Sequence, residues 1–378
     1  MLPLFWDPTH HALAESAGRW AERHIAPHAA DWEEENAFPA GLYREAGAAG
    51  LLGAAWPEAL GGGGGDVLHG LIIAEALVRG GSVGTAVGLG SHSIALPPIA
   101  ALGSPEQQAR WIPPVLRGEK ISALAITEPG AGSDVARLRC RAVRSGDHYV
   151  VNGAKMFITS GARADLVTLA VRTGDEGYGG ISLMVVERGA PGFRVGRPLK
   201  KMGWWASDTA ELIFEDCRVP AANLLGEENQ GFYGIMANFT HERLLLAATA
   251  VAIAKLALEA SQRYVREREA FGRPLWGFQV TRHRLAEMAT AEASARAFVS
   301  VVAARSRAGE DVTTEVAMAK NAAVAACSLV TDAAVQLHGG MGYMRESLVE
   351  RLYRDARLFG IGGGTTEIMN EIISKRMD

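Results

Sequence analysis

HYVVNGAKMFITS, residues 148–160, alternates apolar and polar positions around Asn152-Gly153, a strong two-residue signal for a β-hairpin. Three more short, β-branched stretches follow: ADLVTLAVR (164–172), GGISLMVVERG (179–189) and AELIFEDCRVP (210–220). On either side the period changes. HHALAESAGRWAERHIAPHAADW (10–32) and VLHGLIIAEALVRG (67–80) repeat apolar residues every three or four positions. The same period returns at about Gly231 and holds nearly to the end, broken at 271–274 and 338–342. Strands flanked by runs of helices predict an α+β fold, not βαβ units with a parallel sheet. The expected division is a helical domain over 1–120, a β-domain over 121–230 and a second helical domain over 231–378.

A chain of 378 residues, 48% hydrophobic and 21% charged, is a globular profile with room for more than one core. Its formal charge of -4 gives no electrostatic footprint for nucleic acid, which is excluded as a partner class. Cys140, Cys217 and Cys327 lie far apart and show no paired spacing, so neither a disulfide framework nor a metal site is expected. The start has no basic stretch ahead of a long apolar one, unlike a signal peptide. The longest apolar run, Leu244 to Ala254, is about half of what a bilayer needs. A cytoplasmic protein without a membrane span is expected.

One helical stripe contains an anomaly. Ile235, Phe239, Glu242, Leu246, Thr249, Ile253 and Leu256 follow one another at spacings of four and three, which lines them along one helix face. Most helix glutamates face water. On this face packing would desolvate Glu242 and raise its pKa toward the range useful to a general base. Arg243 projects about 100° away and need not neutralise it.

Two glycine-rich regions suit a nucleotide cofactor. In AITEPGAGSD (125–134), Gly130 and Gly132 let a ligand approach the main chain closely, and Phe157 with Thr159 suits a flat heteroaromatic ring. Arg268, Phe271 and Gln279, with QLHGGMGY (336–343), place donors and bare backbone on helix ends, fitting a pyrophosphate and an adenine edge. Taken singly, Arg268 reads as a surface cation and His338 as a core histidine. No Rossmann glycine fingerprint, phosphate-binding P-loop or zinc-protease motif is found.

These stretches, together with PEALGGGGGD (57–66), KMFITSG (155–161), KMGWWASDTAELIFEDCRVP (201–220), REAFGRPLWGFQ (268–279), QLHGGMGYMRE (336–346) and GGGTTEIMNEII (362–373), resemble the acyl-CoA dehydrogenase family almost end to end. The resemblance implies a helical N-terminal domain, a middle β-barrel-like domain and a C-terminal four-helix bundle, assembled as a homodimer or homotetramer. It also implies FAD held between subunits and an acyl-CoA thioester against the flavin. Leu124, Ile126, Thr127, Gly132, Ser133, Phe157, Ile158 and Thr159 would line the isoalloxazine. Arg268, Phe271, Gln279, Gln336, Leu337, Gly339 and Gly340 would grip the adenosine diphosphate end from a neighbouring subunit, and Thr365 and Glu367 would complete that site. Ser133, Phe239, Arg243, Gly363 and Gly364 would contact the substrate.

In many family members the loop before the last helix carries the catalytic glutamate. Here the matching residue is Gly363. Sequences similar to the long-chain and isovaleryl branches instead carry the base in an E-R-L context, which is Glu242-Arg243-Leu244 within THERLLLAA. The resemblance therefore implies that Glu242 removes the α-proton, that the β-hydrogen leaves as hydride to flavin N5, and that the Gly363 N–H polarises the thioester carbonyl. A trans-2-enoyl-CoA results, and an electron-transferring flavoprotein is the expected acceptor. An acyl-CoA oxidase or a non-catalytic flavin-binding relative is the alternative. The long-chain branch is the nearer match, with a branched acyl group the other reading.

Overall fold

The computed structural model describes residues 1–377. Eight helices open the chain: α1 (Pro8–His24), α2 (Ala29–Glu35), α3 (Gly41–Ala48), α4 (Val67–Val78), α5 (Val83–Leu89), α6 (His92–Ala95), α7 (Pro97–Leu102) and α8 (Pro105–Leu116). The strands follow: β1 (Ser122–Ala125), β2 (Arg141–Ser145), β3 (His148–Thr159), β4 (Leu166–Arg172), β5 (Ile181–Glu187), β6 (Phe193–Pro198), β7 (Thr209–Pro220) and β8 (Leu224–Leu225). Then come α9 (Gly231–Glu267), the small hairpin β9 (Glu269–Ala270) and β10 (Arg273–Pro274), α10 (Gln279–Arg307), α11 (Thr313–His338), α12 (Leu348–Ala356) and α13 (Thr366–Ser374). The α+β reading, with helices before and after a sheet, is what the chain forms.

The sheet runs β6-β7-β3-β2-β4-β5-β8, with β1 pairing parallel to β4. Strands β4 and β5 are buried on both faces, because one face lines the interior of the sheet and the other packs on α7, α8 and the start of α9. This explains why ADLVTLAVR reads as almost continuously apolar. Its one hydroxyl in that stretch, on Thr168, donates to the Ala95 carbonyl at 2.8 Å.

The hairpin expected at Asn152-Gly153 is not there. Both residues lie inside β3, and the two-residue turn between β2 and β3 is Gly146-Asp147. Asn152 instead bridges a bulge against β7, accepting from the Asp216 N–H at 2.8 Å and donating to the Asp216 carboxylate at 3.1 Å. Glycine is required at 153 for packing: a Cβ there would stand 2.7 Å from Cys140 Cα, at a φ of +146°.

One apolar core joins α1 and α4 to the long helices α9, α10 and α11. By length and composition α9 is apolar enough to cross a membrane, although its longest contiguous apolar run is short. In its most apolar stretch 72% is buried inside the protein, which makes it a core helix.

Helices α1 and α4 start with the same device. Asp7 caps α1 while its own N–H donates to His10 Nδ1, and Asp66 with His69 repeats the arrangement on α4. Among the described residues His10, Asp66 and His69 form the one group whose donor atoms would meet around a metal ion. The Nδ1 atoms of both rings, however, are already engaged by backbone N–H groups, that of Asp7 at His10 and that of Asp66 at His69. Arg307 already pairs with both carboxylates, at 2.5 Å to Asp66 and 3.0 Å to Asp7. The group reads as a helix clamp.

Candidate active site

The stripe on α9 faces the glycine loop ahead of α13. A Cβ built on Gly363 would lie 3.6 Å from Glu242 Oε1, 3.7 Å from Lys320 Cε and only 2.3 Å from Leu246 Cδ1. Gly363 has a φ of +65° and Gly364 of +96°, conformations that favour glycine. The Glu242 carboxylate therefore reaches the point where a side chain on the loop would begin.

Glu242 Oε2 is shut off from solvent and has no hydrogen-bond partner among the described residues. Burial pushes the carboxyl up to about 7; the charges of Arg243 and, less strongly, Lys320 hold it back. Arg243 acts on Glu242 through its charge without neutralising it, and its hydrogen bond goes elsewhere. Its Nε donates to the Gly363 carbonyl at 3.2 Å, and its guanidinium stacks 5.1 Å above the Phe239 ring. Glu242, Phe239, Arg243, Gly363 and Gly364 are thus gathered at one place.

Lys320 was not read from the sequence as a functional residue. It sits on α11 in the series Val316, Lys320, Ala323, Cys327 and Val330, again at spacings of four and three. The rule that singled out Glu242 applies equally to a buried lysine on an apolar stripe.

A second group forms where β1 meets β3. The Met156 N–H donates to the Thr127 carbonyl at 2.8 Å, and buried Lys155 donates to the Ile126 carbonyl at 2.9 Å and to Glu128 at 2.8 Å. Glu128 in turn accepts from the Cys140 N–H at 2.9 Å. These bonds hold Leu124, Ile126 and Thr127 against Phe157, Ile158 and Thr159. Phe157 lies at an irregularity of β3 with a φ of +62°, and the residue is 65% exposed. A bulky residue held in that conformation with its apolar face uncovered points to a ligand-facing role. Gly132 and Ser133 lie exposed on the loop beyond.

A third group gathers at the far end of α9. The Leu275 N–H donates to the Arg268 carbonyl at 2.8 Å, and Phe271, 96% exposed, projects from the tip of the β9–β10 hairpin at a φ of +52°. Gln279 begins α10. Tyr264 stacks on His338 at 4.1 Å and donates to its carbonyl, tying this corner to Gln336, Leu337, Gly339 and Gly340. His338 itself is spoken for by the Ala334 carbonyl, 2.8 Å from its Nδ1. Cβ atoms on Gly132, Gly339 or Gly340 would meet nothing within 4 Å, so open space adjoins each. Thr365 caps α13 by accepting from the Ile368 N–H, and Glu367 sits exposed in that helix's first turn.

An exposed aromatic face, an open glycine edge and donors on helix ends fit a flat ring joined to a diphosphate. Among the described contacts, none links the third group to the second.

Family models describing the acyl-CoA dehydrogenase N-terminal, middle and C-terminal domains match residues 7–119, 123–217 and 229–378. The chain is 41% identical over 371 residues to the long-chain specific acyl-CoA dehydrogenase of Sus scrofa, covering 97% of this chain and 86% of that protein. It is 38% identical over 378 residues to isovaleryl-CoA dehydrogenase of Oryza sativa, covering 99% and 92%. The crystal structure of a probable acyl-CoA dehydrogenase from Mycobacterium abscessus superposes with a TM-score of 0.97 at 54% identity, covering 99% of this chain and all of that one.

Proposed function

The chain belongs to the acyl-CoA dehydrogenase family, FAD-dependent oxidoreductases acting on acyl-CoA, and from that premise we propose that Glu242 is its general base. The supporting observation is a carboxylate oxygen 3.6 Å from the point where a residue-363 side chain would start, on a loop that has no side chain to offer. Glu242 removes the α-proton of the acyl group. Bound FAD supplies the acceptor for the β-hydride, so that the product is a trans-2-enoyl-CoA. The Gly363 N–H, which donates to no acceptor among the described residues, meets the thioester carbonyl as negative charge grows there. Arg243 and Phe239 form the adjoining wall.

The cofactor reading follows the three groups. Leu124, Ile126, Thr127, Phe157, Ile158 and Thr159 hold the ring system, with Gly132 and Ser133 at its edge. Arg268, Phe271, Gln279, Gln336, Leu337, Gly339 and Gly340 take the adenosine diphosphate end of a second copy's cofactor, joined by Thr365 and Glu367. A homo-oligomer with shared sites accounts for the uncovered Phe271. An electron-transferring flavoprotein is the proposed electron acceptor.

A base of this kind predicts a pH profile. The carboxylate is the working form, and burial holds its pKa at about 7. Below that value kcat/KM should fall about tenfold per pH unit, and above it should level off. A limb that stays near the ordinary carboxylate range would show the base to be another group. Substrate length is tested separately. The proposed substrates are medium- to long-chain or branched acyl-CoAs, and a steady-state series of short, medium and long acyl-CoAs with isovaleryl-CoA should peak among the longer chains. A single short branched optimum would overturn the long-chain preference.

A further inference from the structure

Buried Phe359 anchors the start of the loop that presents the Gly363 N–H, but Gly362, Gly363 and Gly364 have no side chains to brace them, so the bracing there comes from two helices. Arg243 on α9 holds the Gly363 carbonyl. Lys320 on α11 spans the loop: its ammonium donates to the carbonyls of Phe359 at 2.9 Å and Gly364 at 2.7 Å. The residue is 1% exposed. An ammonium that deep is costly unless hydrogen bonds and opposite charge compensate, and it ends beside the base. Lys320 Cε and Glu242 Oε1 both lie within 4 Å of the same point, the Cβ position of residue 363.

We propose that Lys320 is a positioning residue for the dehydrogenation: it ties the 359–364 loop to α11, while Arg243 holds it from α9, so that the Gly363 N–H and the Glu242 carboxylate address one thioester together. The inference rests on Glu242 being the base. Gly363 and Gly364 have left-handed backbones that unbraced glycines leave at little cost, and a clamp on the carbonyls at both ends of the segment removes that freedom. The charge has a second effect. Burial and the Arg243 charge pull Lys320 down to about 8, while Glu242 pushes it back up; Lys320 in turn lowers Glu242. Arg243 and Glu242 are the charged groups acting on Lys320. Without the ammonium, the carboxyl should titrate higher.

The test uses flavin-loaded Lys320→Met and Lys320→Gln enzymes, with rates expressed per bound flavin so that misfolded protein does not count. Lys320→Met should lose about tenfold to a hundredfold in kcat, the scale of a misplaced reacting group. The acid limb of its kcat/KM profile should move to higher pH. Lys320→Gln, which keeps a donor without a charge, should recover part of kcat and retain the displaced limb. A purely structural lysine would lower flavin content and Tm yet leave kcat per flavin and the limb unmoved, and that result overturns the proposal. Should Lys320→Met fail to load flavin, the same two quantities in Lys320→Gln decide. Glu242→Gln separates the two readings: if the limb survives in that enzyme, the Glu242 assignment fails. If it vanishes there but stays fixed in the Lys320 variants, only the Lys320 proposal fails.

Discussion

Glu242→Gln should give a folded enzyme that still holds flavin and acyl-CoA but turns over at least about a hundredfold more slowly, the lower end of what a positioned general base contributes. The amide matches the carboxyl in shape, but it cannot take a proton. The unpartnered Oε2 already sits out of water without hydrogen bonds, so exchanging it leaves no broken network behind. The stability consequence has a defined sign. A carboxyl raised from 4.5 to about 7 by folding is stabilising as the neutral acid, and that contribution is lost as pH rises through this window. Above it the Gln variant should therefore melt no lower than the parent protein. Near-normal turnover of acyl-CoA would remove Glu242 from the mechanism, and loss of flavin along with activity would show the residue to be structural.

Gly363→Ala should cost about a hundredfold in kcat while an acid limb persists, since the Glu242 carboxyl remains and the main change is to the donor. The added methyl meets two constraints together. Its backbone sits at a φ of +65°, which costs a residue bearing a Cβ about 1–2 kcal/mol. Its Cβ would also stand 2.3 Å from Leu246 Cδ1, forcing either that side chain or the loop to shift. Leu246→Ala combined with Gly363→Ala opens the space and should recover part of the rate. If Gly363→Ala alone runs at the parental rate, the loop N–H does not carry the carbonyl.

The fold was readable because the sequence changes period twice, near Ile121 and near Gly231, and each change marks a boundary between elements buried on different faces. Glu242 was readable for a related reason: a carboxylate on an apolar stripe stands out. Lys320 obeys the same rule on the series Val316, Ala323, Cys327 and Val330, but buried alanines at 317, 319, 326, 333 and 334 spread the apolar surface around α11, so the contrast that exposes a buried charge is faint. Asn152-Gly153 failed as a turn because long-range pairing with β7 and the approach of Cys140 decide that backbone; local turn chemistry was outweighed. Edge strand β6, with its arginines, glycine and proline, gave no alternation to find. The Arg268 and Gln336 corners look unrelated in sequence because Tyr264 and His338, which join them, are 74 residues apart.

On the proposed mechanism, one carboxylate on α9 does the work that the family resemblance assigns to a loop side chain in many members. A crystal structure of the flavin-loaded enzyme with a non-reactive acyl-CoA tests it most directly. The expected result is a Glu242 oxygen about 3–3.5 Å from the α-carbon, with the Gly363 N–H on the thioester oxygen. A carboxylate turned away from the ligand, with some other base at that carbon, would contradict it.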